Sequence, residues 1–180
     1  MLRLFVGLAL PRQIRRSLAD LCHGIPDAAW TPEENLHLTL RFLGEVSESE
    51  AQDVDAALLG LDAPAFELTI KGIGWFGGHK PRLLYAGIAP EPNLNYLRDR
   101  VESAIARAGL PREERKFVPH VTLARLKGEM GHHLAQFHAA HNTMRLGPVE
   151  IDEVTLFRSD VGHMGSIYTP LVEYPLRLYA

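Results

Sequence analysis

The sequence predicts one domain of mixed α and β structure, built from two related strand–helix–strand units, and three observations carry that prediction. The 180 residues suit one domain or two small lobes and can bury a substantial core. The stretch RLFVGLALP at 3–11 lines up with RLLYAGIAP at 82–90, self-similarity of the kind a duplicated unit leaves. The pattern His-x-Thr-Leu also occurs twice, in LHLTLRF at 36–42 and in PHVTLAR at 119–125. Arg3 to Arg82 spans 79 residues and His37 to His120 spans 83, so the two offsets agree within a short loop difference.

Each unit reads in the same order. The first opens on an apolar run, an expected strand, in which Gly7 aligns with Gly87 after a one-residue slip and Pro11 aligns with Pro90. RQIRRSLADLCHG comes next, with Ile14, Leu18 and Leu21 at helical spacing and Gly24 as a stop. The second unit has NLNYLRDRVESAIARAG in the same place, with Leu94, Leu97, Val101 and Ile105 at that spacing and Gly109 as the stop. Each helix leads into a His-x-Thr strand and then a second helix. SESEAQDVDAALLGL carries Ser47 with Glu50 three residues on, the pattern of a capping box, and MGHHLAQFHAAHN is its weaker counterpart. FELTIKGIGWF and VEIDEVTLF are each expected as one strand. IYTPLVEYPLRLY is expected at a sheet edge, because Pro170 and Pro175 cannot donate to a ladder. The units divide near residues 1–80 and 81–180, with no long linker between them, and packed lobes of this kind favour a ligand cleft at their junction.

Composition narrows the class. Apolar residues make up 46% and charged residues 23%, the balance of a globular chain. A net charge of −3 argues against a broad basic surface that coats nucleic acid, but leaves room for a small basic pocket. The lone cysteine, Cys22, excludes an internal disulfide and a cysteine-rich metal site. The N-terminal apolar run is too short to span a membrane and lacks the charged start and cleavage site of a signal peptide, so a cytoplasmic protein with no membrane partner is expected.

The two His-x-Thr patterns carry the chemistry. In a strand, residues i and i+2 share a face, so His37 projects with Thr39 and His120 with Thr122, while Leu38, Leu40, Val121 and Leu123 turn to a core. Two imidazoles facing one site can act as base and acid near neutral pH, and threonine hydroxyls can donate to oxyanions between them. That set suits a phosphodiester. A lone histidine in an apolar strand is more often a hydrogen-bonded core residue, but a matched pair in a repeat favours function.

HLTLRFLGE and FVPHVTLAR resemble the paired signatures of the 2H phosphoesterase superfamily, and in particular its RNA 2′,3′-cyclic phosphodiesterase branch, long called 2′-5′ RNA ligase. The openings LRLFVGLALP and GIGWFGGHKPRLLYAGI and the closing LFRSDVGHMGSIYTPLVEYPL are similar to that branch as well. The resemblance implies an α+β fold with antiparallel sheets curving around a central cleft. It implies hydrolysis of an RNA or nucleotide 2′,3′-cyclic phosphate to a 2′-phosphomonoester, without cofactor or metal and with no obligate protein partner, and with reverse 2′-5′ ligation as a companion activity. His37 would then protonate the O3′ leaving group, His120 would activate water, and Thr39 and Thr122 would bind the phosphate. Arg125, five residues after His120, stands where the branch often has a phosphate-binding arginine; plain alternation would put it with Val121 and Leu123 unless the strand bulges or ends there.

Other candidates rest on the residues alone. Arg41 falls on the face of His37 and Thr39 by alternation, within reach of the phosphate or simply solvated. Phe42, Phe117 and Tyr168 are candidates for stacking on a base, against the commoner role of sheet aromatics as core. His132, His133, His138 and His141 invite a metal reading that the lack of a nearby carboxylate disfavours. The competing functions are a phosphodiesterase for another small cyclic or 2′-5′-linked nucleotide, and a non-catalytic nucleotide-binding module.

Overall fold

A computed structural model describes residues 1–127 and 131–178. In chain order the elements are β1 (Leu2–Ala9), α1 (Arg12–Ala19), β2 (Ala29–Trp30), a 3₁₀ turn (Glu33–Asn35), β3 (His37–Val46), α2 (Glu48–Leu59), β4 (Phe66–Phe76), β5 (Leu83–Ile88), α3 (Pro92–Arg107), β6 (His120–Arg125), α4 (Gly131–His141), β7 (Arg145–Ile151), β8 (Glu153–Gly162) and β9 (Gly165–Pro175). The expected strands and helices are present, including the capping box: the Ser47 hydroxyl accepts the Glu50 N–H at 3.1 Å, and the Glu50 carboxylate accepts the Ser47 N–H at 2.7 Å. The proline-bearing C-terminal segment is an edge strand, as Pro170 demands. The expected single strand VEIDEVTLF is instead two, broken at Asp152. The first residues of the predicted helix MGHHLAQFHAAHN lie partly outside the described residues.

Nine strands form one sheet among the described residues, in the order β7-β4-β5-β6-β3-β1-β8-β9, with β2 paired to β6. All the ladders are antiparallel. The sequence halves exchange strands: β4 pairs with β5 and β7, while β8 and β9 return to β1. Asp152 alone separates β7 from β8, yet those strands stand six places apart in the sheet. In a flat sheet six spacings would separate them by about 29 Å, whereas two peptide steps reach about 7 Å. The sheet therefore curls until its ends approach.

The helices fill one side of this curl. Leu38, Leu40, Val121 and Leu123 of the two central strands join Ile14 and Leu18 of α1, Val54 and Leu58 of α2, and Leu94, Leu97, Val101 and Ile105 of α3 in a single buried cluster. Each fully buried leucine contributes about 1.5–3 kcal/mol relative to exposure. The other face, left uncovered by the helices, carries the His-x-Thr side chains.

Two bulges repeat in the central strands. β1 pairs Gly7 with Thr39 and Val6 with Arg41, leaving Leu40 as the extra residue. β5 pairs Tyr85 with Thr122 and Leu84 with Ala124, leaving Leu123 extra. After each bulge the alternation resets: Arg41 and Ala124 turn inward, and Phe42 and Arg125 turn outward. The same registers revise the alignment of the opening strands. Ala9 lies opposite His37 and Gly87 opposite His120, so Gly87 corresponds to Ala9 rather than to Gly7.

Candidate active site

β3 and β6 are neighbours at the centre of the sheet, and Leu38 pairs with Val121. One step to either side in an antiparallel register sets His37 across from Thr122 and Thr39 across from His120. The two His-x-Thr units thus form one quartet, on the face opposite the buried Leu38 and Val121.

Both imidazoles are held in the same way. The Nδ1–H of His37 donates to the Asn35 carbonyl at 2.7 Å, and the Nδ1–H of His120 donates to the Val118 carbonyl at 2.7 Å. A carbonyl can only accept, so each Nδ1 keeps its proton and each Nε2 is the nitrogen that accepts or transfers a proton. His37 Nε2 lies 2.7 Å from the Thr39 hydroxyl oxygen. Gly7 permits this close packing: a Cβ there would stand 2.8 Å from the Leu38 carbonyl oxygen and 3.6 Å from His37 Cδ2.

Aromatic rings wall both histidines. Phe5 and Tyr168 lie 4.9 and 5.2 Å from the His37 ring, the tyrosine edge-on. Phe76 and Tyr85 lie 5.0 and 5.4 Å from the His120 ring. This desolvation, which disfavours the charged imidazolium, is the main cause holding both pKa values below the ordinary histidine range. The Asn35 and Val118 carbonyls oppose the effect, and repulsion from His120 lowers His37 further.

The candidate residues separate clearly. His37, Thr39, His120 and Thr122 converge. Arg125 is exposed and, through the bulge at Leu123, shares the quartet's face. Tyr168 stands against His37, Phe42 is 60% exposed in the cleft, and Phe117 lines the cleft half-buried. Arg41 does not reach a phosphate site. The bulge at Leu40 turns it inward, where Nη1 donates to both Glu102 carboxylate oxygens at 2.9 Å, Nε donates to the Phe42 carbonyl and Nη2 to the Pro111 carbonyl. Arg41 is 8% exposed and Glu102 5% exposed, so this is a buried ion pair, and Glu102 also accepts the Glu113 N–H at 3.2 Å. The pair ties β3 and α3 to the loop that leads into His120.

Among the described residues no group of three or more His, Cys, Asp or Glu side chains could hold a metal ion. His138 packs edge-on against Trp75 at 5.7 Å, and His141 against Phe137 at 4.6 Å. Cys22 donates to the Leu18 carbonyl, and burial pushes its thiol up to about 11, away from the reactive thiolate. No helix is long and apolar enough to cross a membrane among the described residues.

Sequence reasoning missed the aromatic walls and Asn35. Phe5, Phe76 and Tyr85 look like core residues until the register sets them beside an imidazole. Asn35 did leave a signal: it is a polar residue two positions before His37.

Fold and site together define a protein that presents two imidazoles and two hydroxyls to one cleft of a curled antiparallel sheet. A family model described as the 2′-5′ RNA ligase superfamily matches residues 10–163, and the chain belongs to that family. It is 34% identical over 164 residues to the RNA 2′,3′-cyclic phosphodiesterase of Aeropyrum pernix, covering 89% of this chain and 92% of that one. The crystal structure of Escherichia coli LigT in apo form matches with a TM-score of 0.80 at 30% identity, covering 97% of each chain. LigT complexed with 3′-AMP matches with a TM-score of 0.78 at 28% identity, covering 97% of this chain and 98% of that one.

Proposed function

We propose that this chain hydrolyses 2′,3′-cyclic phosphodiesters of RNA or nucleotide ends to 2′-phosphomonoesters, with His120 as base and His37 as acid. The observation that carries this is the pairing of Leu38 with Val121, which aligns the quartet on one face with a proton-transferring Nε2 on each imidazole. Water attacks phosphorus while His120 Nε2 takes its proton. The P–O3′ bond breaks, and His37 Nε2–H delivers a proton to O3′, leaving the phosphate on O2′. Thr39 and Thr122 donate to the non-bridging oxygens, and Arg125 adds a charge-assisted bond to them. The proton taken by His120 returns to solvent and His37 is reprotonated from it, which closes the cycle.

The assignment of acid and base, and the 2′-phosphate product, follow the family resemblance, and the names of the relatives support the substrate. The same two groups serve a parallel transfer when a 5′-hydroxyl replaces water as the nucleophile and P–O3′ again breaks, so 2′-5′ ligation is a slower companion in aqueous solution.

Phosphorus NMR of the product from 2′,3′-cyclic AMP tests the reading. A 2′-phosphate is expected; a dominant 3′-phosphate reverses the substrate's orientation, and absence of turnover on any 2′,3′-cyclic nucleotide or cyclic-ended RNA overturns the activity.

A further inference from the structure

Each imidazole leans on a carbonyl two residues upstream, but the two carbonyls are fixed by different means. That of Asn35 sits on the 3₁₀ turn, where the Asn35 N–H donates to the Pro32 carbonyl at 2.9 Å and the Leu36 N–H to the Glu33 carbonyl at 3.2 Å. That of Val118 ends the stretch 111–118, which belongs to no helix or strand. None of the main-chain groups of this stretch bonds to another main-chain group among the described residues. Its course is therefore left to side chains. We propose that the buried Arg41–Glu102 pair is a positioning device for His120: it fixes the stretch 111–118 and so aims the Val118 carbonyl at Nδ1. The importance of that aim to catalysis rests on the phosphodiesterase reading above.

Connectivity is the first argument. Arg41 engages every nitrogen of its guanidinium: Nη1 on Glu102, Nε on the Phe42 carbonyl and Nη2 on the Pro111 carbonyl. Glu102 in turn accepts the Glu113 N–H at 3.2 Å, and the Glu113 carboxylate accepts the Arg115 N–H at 3.0 Å. Four residues before Glu102 on α3, Arg98 holds its guanidinium 5.5 Å from the Phe117 ring centre. β3 and one face of α3 thus grip the stretch at Pro111, Glu113 and Phe117. Little slack remains beyond Phe117, because Pro119 confines Val118 to extended conformations and His120 already belongs to β6.

Energetics and the repeat supply the second. Two apolar residues of similar volume would join β3 to α3 as well as a buried ion pair does, or better. They could not direct a main chain, whereas the guanidinium presents its donors in a rigid planar fork. In the second unit Ala124 takes the place of Arg41, turned inward after the matching bulge. The carbonyl of the first unit needs no such fork, because its turn already holds it. The guanidinium stands only where it can reach the carbonyl-bearing stretch that lacks support of its own. The strand that carries His37 thereby orients His120.

The test reads the histidine tautomers by nitrogen NMR of ring-labelled protein, at a pH above the imidazole range, in wild type, in the double variant Arg41→Leu with Glu102→Leu, and in Arg41→Lys. Wild type should carry Nδ1–H at both histidines. The double variant strands no charge; it should keep Nδ1–H at His37 and show a mixture of tautomers at His120. Arg41→Lys keeps a charge against Glu102 but loses the fork, so it should fold and show the same change in part. It decides the outcome if the double variant does not fold. On 2′,3′-cyclic AMP, kcat should fall roughly tenfold to a hundredfold in the double variant, with little change in KM. An unchanged His120 tautomer in the folded variants, or an equal change at both histidines, overturns the positioning role. So does a loss carried by KM alone. The spectra need no turnover: if no 2′,3′-cyclic substrate is hydrolysed, the phosphodiesterase reading fails, and the His120 tautomer still decides whether the pair aims the ring.

Discussion

Asn35 accepts the Nδ1 proton of His37 on its main-chain carbonyl at 2.7 Å, while its buried side-chain amide donates to the Ser166 carbonyl at 2.8 Å. One residue thereby joins the β8–β9 hairpin, which carries Tyr168, to the orientation of an imidazole. Asn35→Ala removes the tether and spares the carbonyl. It should lower kcat by roughly tenfold to a hundredfold through misplacement of the ring. Aspartate, whose oxygens cannot donate to a carbonyl when ionised, should not rescue it. Steady-state kinetics of both variants check this, with thermal melts to show that the fold survives.

The two histidines should fail differently. Either alanine substitution should cost about 10²–10⁴-fold in rate. A substrate with a much better leaving group should rescue His37→Ala preferentially, because only the acid assists departure. Preferential rescue of His120→Ala would exchange the roles, and near-normal rates in both variants would make the quartet structural. A chelator should change neither the wild type nor the variants.

Burial should set the pH profile. On the proposed roles the active form carries one proton shared between two imidazoles, so kcat/KM should be bell-shaped and peak midway between the two macroscopic values. Desolvation lowers both groups from the ordinary 6.5, so the peak should fall on the acid side of 6.5. An anionic phosphate in the cleft raises both values, and the kcat profile should peak at higher pH than kcat/KM. The same shifts bear on stability. A histidine whose folded value is depressed contributes fully above its unfolded value and loses that contribution as pH falls through the folded one. Melting temperature should therefore drop below pH 6.5 and recover in part with inorganic phosphate. A kcat/KM peak above 6.5 contradicts this account.

Arg41 and Glu102 should matter to stability rather than to phosphate binding. Glu102→Ala leaves a guanidinium buried and unpaired, at a cost of about 3–5 kcal/mol, or roughly 10 °C in Tm. Replacing both by leucine should recover most of that loss, because no charge is then stranded. Calorimetry of the single and double variants decides it. If Arg41→Leu abolishes phosphate binding while leaving Tm unchanged, the side chain serves the substrate after all.

The period of two along each strand was enough to read His37 with Thr39 and His120 with Thr122. It was not enough to orient the residues that come after Thr39 and Thr122. Leu40 and Leu123 look like any apolar residue of a strand, and nothing local marks them as bulged. That one omission misdirected Arg41 toward the cleft and made Arg125 hard to reconcile with its neighbours. The repeat announced itself in the opening strands, but matching glycine to glycine misled. Gly7 is small to clear the Leu38 carbonyl and Gly87 to clear the Lys71 carbonyl, so they are glycines for separate reasons. Strand order was beyond reach for a further cause. The crossing of β4, and the break at Asp152, depend on pairings between residues far apart in the chain.

That break has a consequence for how the molecule comes to exist. Ile151 and Glu153 are close in the chain yet belong to strands six places apart in the sheet, and each half of the sequence lacks strands that only the other supplies. Without the second half, β1 has no β8 and β3 has no β6; without the first, β5 and β7 lose the strand between them. Neither half completes its own strand pairings. His37 and His120 meet across a seam whose two sides are completed by borrowed strands, so the quartet is assembled only in the whole sheet. A chain cut in the turn between β4 and β5 should yield two inactive fragments that regain activity only by recombining into the whole sheet.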